Sequence, residues 1–577
     1  MCARPRRVRP PAMDAPATTS QAAGGRALAG PTPRMARDEP GWTARPVPGR
    51  DSGAGFGFAP AGGPEVAWRL VAVRGDDGEF PMGRRDMLGC SERRRGSCAV
   101  APRVEPRPGR RTRAALCAAT ALWALAAAAG CARKPETAQG DVAATAATEA
   151  DGPRLLLVGW DGATWAVIDP LLEAGRMPNL ARLLAHGTRA PLATLTPTLS
   201  PAIWTTIATG VTPEVHGITD FLAPAPGGGH RLVTGASRRV DALWNIASRA
   251  GLRVGVVGWW ASYPAEAVNG FVVSDHAAAV RARGVLPGLG LEVPAPAASG
   301  GLVFPPALAG ELADVLQAGW EGRPDDLDRF FELPAAAAGR LAGQEVMDPD
   351  NPLSWFRFTY LVDRVHAEAM ERAVGAYDPQ LAMVYFDGID IASHCFWKYH
   401  DPGSFRDVRP GDVRRFGGVV PGYYAYMDDV LGRLVSLFPA GRLTVMIVSD
   451  HGHEPNPRHR PDAPNRFDRV SSGYHERAPD GVLVLAGAGV RPGASFEAKP
   501  SVLDVAPTVL ALLGLPVGAD LPGRVLAEAV LPDRLASRPP AAVPTRTAPR
   551  RDAGGAAPES PAERALYERL RAIGYVE

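Results

Sequence analysis

The sequence predicts an α/β domain built on a doubly wound, mostly parallel sheet flanked by helices. Three short, continuous apolar runs carry that expectation, at residues 155–160, 381–386 and 443–449. Unbroken runs rich in Val, Ile or Leu suit strands buried on both faces. Residues 253–259 and 481–486 read as further strands, and helical patterns at 177–185, 353–376, 423–438 and 505–513 alternate with them. Strand and helix in alternation argue for helices on both faces of a parallel sheet.

The chain of 577 residues is 46% hydrophobic, enough for a sizeable core. Its formal charge is only +2, which gives no argument for a nucleic-acid partner. Residues 1–108 are rich in Arg, Pro and Gly without a sustained period, so they are expected to be disordered or a mis-assigned N-terminal extension. Arg110, Arg111 and Arg113 then precede an apolar run over 114–130 that ends at Cys131. A charged stretch, an apolar stretch and small residues before a cysteine make an export signal over 109–131. The Ala128-Ala129-Gly130-Cys131 end resembles a bacterial lipoprotein processing site, so Cys131 is expected to be lipidated. The protein is then expected in the bacterial cell envelope, anchored to the membrane and facing the periplasm. Four of the six cysteines precede that point, which leaves Cys131 and Cys395 and no disulfide framework.

Residues 132–152 read as a tether and 153–535 as the catalytic domain, with a Pro-, Gly- and Ala-rich insertion or cap at 276–350. Helical patches at 306–318 and 325–333 are expected inside it. A linker over 536–558 precedes a C-terminal helix within 559–577, signalled by the capping box Ser560-Pro561-Ala562-Glu563.

Each of the three apolar runs ends in a carboxylate: Asp161, Asp387 with Asp390, and Asp450. Open parallel sheets bind ligands beyond the carboxyl ends of their strands. Acids gathered there repel one another unless a cation joins them. All eleven histidines follow residue 185, and some accompany these acids. Asp390 and His394 are spaced i, i+4 and share a face if a helix begins there. Asp450 and His451 are adjacent, and His475 follows in Ser472-Gly473-Tyr474-His475, with His453 and His459 as competitors for its role. Mixed oxygen and imidazole ligands suit Zn(II), less selectively Mn or Fe. Pro201 suits a first helical position, which makes Ser200 the expected N-cap of a helix ending at Gly210. Ser200 could be only a cap. Beside a metal it becomes a nucleophile, because coordination lowers the hydroxyl pKa.

These segments, with Pro213-Glu214-Val215-His216-Gly217-Ile218 and Asp504-Val505-Ala506-Pro507-Thr508-Val509-Leu510, resemble the alkaline phosphatase superfamily. Within it they are most similar to the type I phosphodiesterase/nucleotide pyrophosphatase branch, in order over about residues 154–526. The resemblance implies two divalent metal ions, most simply Zn(II), with Mn(II) as the alternative. Asp161, Ser200, Asp450 and His451 would hold one, and Asp390, His394 and His475 the other. Ser200 would attack phosphorus and form a phosphoserine intermediate, Asp387 would orient its neighbours, and His216 would pack a loop. The expected activity is hydrolysis of a small phosphate ester, a diester first. A phosphomonoesterase, a sulfatase or a phospho-headgroup transferase would use the same apparatus. Ser200-Pro201-Ala202 lacks the sulfatase spacing. A non-catalytic metal-binding lipoprotein is the reading from another class. Where nucleotide pyrophosphatases carry a phosphate-contacting Asn, this chain has Thr219-Asp220-Phe221, so the marker of nucleotide specificity is missing.

Overall fold

The computed structural model describes residues 152–547 apart from 225–229, 279–300, 319–326, 345–346, 349, 538 and 540. The expectations for residues 1–131, the tether and the C-terminal helix lie outside the described residues. The eight strands of the main sheet are, in chain order, β1 Arg154–Trp160, β2 Gly187–Leu192, β3 Val254–Val257, β4 Gly270–Val273, β5 Val303–Phe304, β6 Leu381–Phe386, β7 Leu443–Val448 and β8 Gly481–Gly487. They lie in the order β2-β8-β7-β1-β6-β3-β4-β5. The sheet is mostly parallel and doubly wound, as the alternating pattern predicts.

β1 shows why the apolar runs are continuous. Leu156, Val158 and Trp160 enter a core shared with the helices Pro352–Tyr377, Gly388–His400 and Val419–Ser436. Leu155 and Leu157 enter a second core, with the helices Ser200–Thr209, Leu243–Arg249 and Val505–Leu513. Successive side chains of a strand point to opposite faces, so a strand covered on both faces needs apolar residues at every position.

Parallel pairing sets the level of the strand ends. Trp160 pairs with Phe386 and Gly159 with Val448. Continued by one step from the first pair and two from the second, that register brings Asp161 level with both Asp387 and Asp450. The strand β8 runs antiparallel to β7, which a reading of uniform parallel strands does not predict. That reversal has a use: the chain leaves the sheet at Ser449 and returns to the same edge at Gly481. Everything between, including Asp450, His451, His453 and His475, is delivered over the carboxyl ends of β1, β6 and β7.

The described part of 276–350 belongs to the body rather than to a separate cap. β5 pairs with β4 at the sheet edge, and Leu308, Leu312, Val315, Phe330 and Phe331 lie in the first core. The patch expected at 306–318 forms two short helices, Pro306–Glu311 and Ala313–Ala318. Residues 327–333 form a turn and extended chain instead of a helix, with Phe330 and Phe331 anchoring them by burial. Among the described residues no helix is long and apolar enough to cross a membrane.

Candidate metal centre and nucleophile

Asp161 stands immediately after β1, and both of its oxygens are accounted for. Oδ2 accepts from the Tyr385 hydroxyl at 2.6 Å and from Trp204 Nε1 at 2.9 Å. Oδ1 is buried without a hydrogen-bond partner and lies 3.4 Å from His451 Nε2. Asp450 repeats the arrangement. Its Oδ1 accepts from the Gly162 amide at 3.3 Å, and its unpartnered Oδ2 lies 3.4 Å from the same His451 Nε2. Burial first, and the charge of Asp161 second, push the Asp450 carboxyl well above the usual carboxylate range.

The second group grows from the helix Gly388–His400, which begins directly after β6. Asp363, on the long helix Pro352–Tyr377, accepts from the Asp387 and Gly388 amides at 3.0 and 2.9 Å and from the Tyr423 hydroxyl at 2.9 Å. It therefore caps this helix from outside. Burial, then the charge of Asp387, push Asp363 up to about 7. One face of the capped helix presents Asp390 and His394, with Asp390 Oδ1 at 3.4 Å from His394 Nε2. His475 Nε2 lies 3.1 Å from His394 Nε2, and His453 Nε2 lies 3.4 Å from Asp390 Oδ1.

The imidazoles share one orientation. Nδ1 of His394 faces Ser471 Oγ and the Gly473 carbonyl, that of His451 the Gly452 carbonyl, and that of His453 the Gly162 carbonyl. His475 Nδ1 faces Thr198 Oγ1, which itself donates to the His475 carbonyl. A carbonyl only accepts, and the Thr198 hydroxyl has given its hydrogen to the His475 carbonyl, so each ring carries its hydrogen on Nδ1 and turns the Nε2 lone pair inward. Burial holds all four rings below the usual histidine range, His394 at about 3. They are neutral, the form in which histidine binds metal.

This donor set fits divalent cations. Lone pairs and carboxylate oxygens converge on two points with no hydrogen between them, a repulsive arrangement that a cation reverses. The recurring 3.4 Å separation also matches the edge of a tetrahedral zinc sphere, about 3.3–3.4 Å for ligands at 2.0–2.1 Å.

Ser200 reaches this edge through its neighbours. Thr198, two residues before it, holds His475, and Trp204, one turn after it, holds Asp161. Ser200 is buried at the start of its helix. One expectation needs correcting: Ser200 is the first residue of the helix and Leu199 its N-cap, with no side-chain capping bond. Pro201 tolerates the second position as well as the first, since neither amide has a partner inside the helix. The helix ends at Gly210 as expected.

His216 is a packing residue, as read from sequence. Its Nδ1 accepts from the Ile218 amide, its Nε2 bonds Thr206 Oγ1, and burial pushes it down to about 3. His459 is held by Lys398 and the Asp468 carbonyl, outside both groups. Sequence reasoning missed Asp363, Tyr385, Trp204 and Thr198. Asp363 carried a signal, an acid among Tyr360, Leu361, Val362 and Val365 in a helical pattern. The other three look like ordinary core or loop residues until the fold brings them together.

Among solved structures, phosphonoacetate hydrolase from Sinorhizobium meliloti 1021, bound to phosphonoformate, matches at 17% identity over 54% of this chain, with a TM-score of 0.31. The match spans 58% of that protein, less than two thirds of its length. Murine ectonucleotide pyrophosphatase / phosphodiesterase 5, in an inactive form bound to AMP, matches at 14% identity over 65% of this chain and 97% of its own, with a TM-score of 0.37. A substituted variant of the alkaline phosphatase PafA matches at 11% identity over 66% and 99%, with a TM-score of 0.43. No curated protein matches the chain. The chain belongs to the type I phosphodiesterase / nucleotide pyrophosphatase family, whose model it matches over residues 155–514.

Proposed function

We propose that this phosphoric ester hydrolase cleaves phosphodiesters through a phosphoserine intermediate on Ser200, with two divalent metal ions. The observation that carries the reading is two adjoining buried donor groups, one of Asp390, His394, His453 and His475 and one of Asp161, Asp390 and His451, beside a serine bracketed by Thr198 and Trp204, each bonded to a donor residue. Asp161, Ser200, Asp450 and His451 would hold one ion, and Asp390, His394 and His475 the other. When bound, the ions would neutralise phosphate charge and lower the pKa of the Ser200 hydroxyl.

The residues then act in sequence. The start of the Ser200–Thr209 helix directs the positive end of its dipole at the phosphate. Ser200 Oγ gives up its proton to solvent and bonds phosphorus in line with the leaving oxygen. The bond from phosphorus to that oxygen breaks, and the alcohol departs with a proton from solvent. Water attacks phosphorus in the second step, the bond from Oγ to phosphorus breaks, and Oγ regains a proton. Tyr385 and Trp204 hold Asp161 still throughout.

Purified residues 150–547 should be screened against phosphodiesters, phosphomonoesters and sulfate esters, with acid quenching during turnover. The reading expects diesters to be hydrolysed fastest and phosphate to be found on the Ser200 peptide. A monoester preference would favour the phosphomonoesterase alternative, and label on another residue would overturn the nucleophile.

A further inference from the structure

We infer that His453 is a fourth protein ligand of the Asp390, His394 and His475 group, so that this site is closed by four protein donors. The inference rests on the two-metal reading above and extends it to a residue that reading leaves out. In sequence, His453 stands two positions after His451, on the far side of Gly452. In space it belongs to the other group. The ligand atoms of Asp390, His394, His453 and His475 all lie within 4.8 Å of one another, and all four residues are buried.

The orientation of the ring is that of a ligand. His453 Nδ1 is turned to the Gly162 carbonyl at 3.1 Å, so it carries the hydrogen. Nε2 is left as a buried lone pair without a hydrogen-bond partner, 3.4 Å from Asp390 Oδ1. The same 3.4 Å separates Asp390 Oδ1 from His394 Nε2. A packing role for His453 would leave that acceptor buried and uncompensated. It would also leave the lone pair facing a carboxylate oxygen. A shared cation removes both penalties.

The surroundings hold the ring in that pose. Trp397 stacks on it with ring centroids 5.9 Å apart and planes at 27°. On another side lies Gly162, with φ +71°, where an added Cβ would come within 2.7 Å of His453 Cε1 and 3.0 Å of the Asp390 Cα. Gly162 thus supplies both the carbonyl that fixes the tautomer and the space that admits the ring. Structural zinc sites are closed by four protein ligands, whereas catalytic ones keep a position open. Four protein donors here would hold an ion tightly.

The test is metal binding and cobalt spectroscopy on wild type, His453→Phe, His453→Gly and Gly162→Ala, with folding checked by circular dichroism. Wild type should take up two Zn(II) ions and give the intense visible absorption of four-coordinate Co(II) from the Asp390 group. His453→Phe should keep one ion at wild-type affinity and bind the other on the order of 1,000-fold more weakly, beyond the roughly 10–100-fold usual for residues that merely support a ligand. Its cobalt absorption should weaken. Added imidazole should restore that absorption in His453→Gly, and Gly162→Ala should resemble His453→Phe. Two ions at unchanged affinity with an unchanged cobalt spectrum in His453→Phe would overturn the assignment while leaving the two-metal reading intact. Wild type that binds no ion would overturn both.

Discussion

Tyr385 donates its hydroxyl to Asp161 Oδ2 at 2.6 Å, and that bond decides which oxygen of Asp161 faces the His451 imidazole. With Trp204 Nε1 on the same oxygen, Oδ1 alone is left to bind. Replacing Tyr385 with Phe keeps the ring packed against Trp204, where the centroids are 5.0 Å apart, and removes only the donor. The affinity of the first metal site should fall by about 10–100-fold, as is typical when a supporting hydrogen bond is lost. Competition against a chromophoric chelator measures this. Unchanged affinity would mean that Trp204 orients Asp161 alone.

Stripping metal from the purified protein with a chelator should abolish hydrolysis, and Zn(II) should restore it better than Mg(II). The donor set motivates this, since its two groups together present four imidazole nitrogens and Mg(II) prefers oxygen ligands and retained water. Activity assays after dialysis against each cation decide it. Full activity in protein shown to be free of metal would sink the two-metal reading.

At the opposite end of β1, Arg154 is buried and bonds Asp378 through both terminal nitrogens, at 2.5 and 2.8 Å. These hydrogen bonds, offset in part by burial, hold Asp378 below the usual carboxylate range. A carboxylate with a depressed folded-state pKa adds stability above its unfolded pKa of about 3.9, and loses it as pH falls through the folded value. The Asp378 side chain is 58% exposed, so solvent screening limits the effect to about 0.5–1 kcal/mol. Asp378→Asn keeps a residue that tolerates the left-handed conformation there. It should lower stability by that amount at pH 7, with the difference closing below about pH 4. Urea melts at the two pH values check the sign, and a difference that grows on acidification would refute it.

The parts of the fold that are buried on both faces were legible in the sequence, because two-sided burial leaves an unbroken apolar run. β1, β6 and β7 read that way, and so did the acids at their ends. β2 and β4 were not legible. Gly187–Leu192 contains Arg189 and Pro191 on exposed positions, and Gly270–Val273 is too short to establish a period. The direction of β8 was hidden for a different reason. A buried strand looks the same parallel or antiparallel, and only its partners decide. In the site, Asp390 and His394 could be paired from helical spacing alone. His453 and His475 come from a loop whose path no local pattern records: the resemblance alone implied the place of His475, and that of His453 emerged only in three dimensions.

We propose that Cys131 is lipidated, a reading that stands on the apolar run over 114–130 and the Gly130-Cys131 end. Cys131→Ser should then stop incorporation of labelled fatty acid and move the protein from the membrane fraction to the soluble one. Wild type that takes up no label would show the cysteine to be incidental to an ordinary export signal.

Ser200 and Thr198 are hydroxyls two residues apart, and the structure separates their roles. From sequence alone, Thr198→Ala is expected to cost far less than Ser200→Ala. The contacts to His475, where Thr198 donates to the carbonyl at 3.0 Å and meets Nδ1 at 3.2 Å, change that expectation. Thr198→Ala should leave the nucleophile in place and loosen His475, so metal affinity at the second group should fall by about 10-fold. Excess Zn(II) should then recover most of the activity. Ser200→Ala removes the attacking oxygen itself, so kcat should drop by several orders of magnitude and excess metal should not restore it. Some turnover should persist, because the helix dipole still stabilises the transition state. Ser200 makes no capping bond, so folded stability should change little, and thermal melts of both variants separate folding from chemistry. The decisive comparison is a zinc titration of activity in the two variants. Zinc recovery in Ser200→Ala would remove Ser200 from the chemistry, and a Thr198→Ala defect that ignores zinc would detach Thr198 from the metal site.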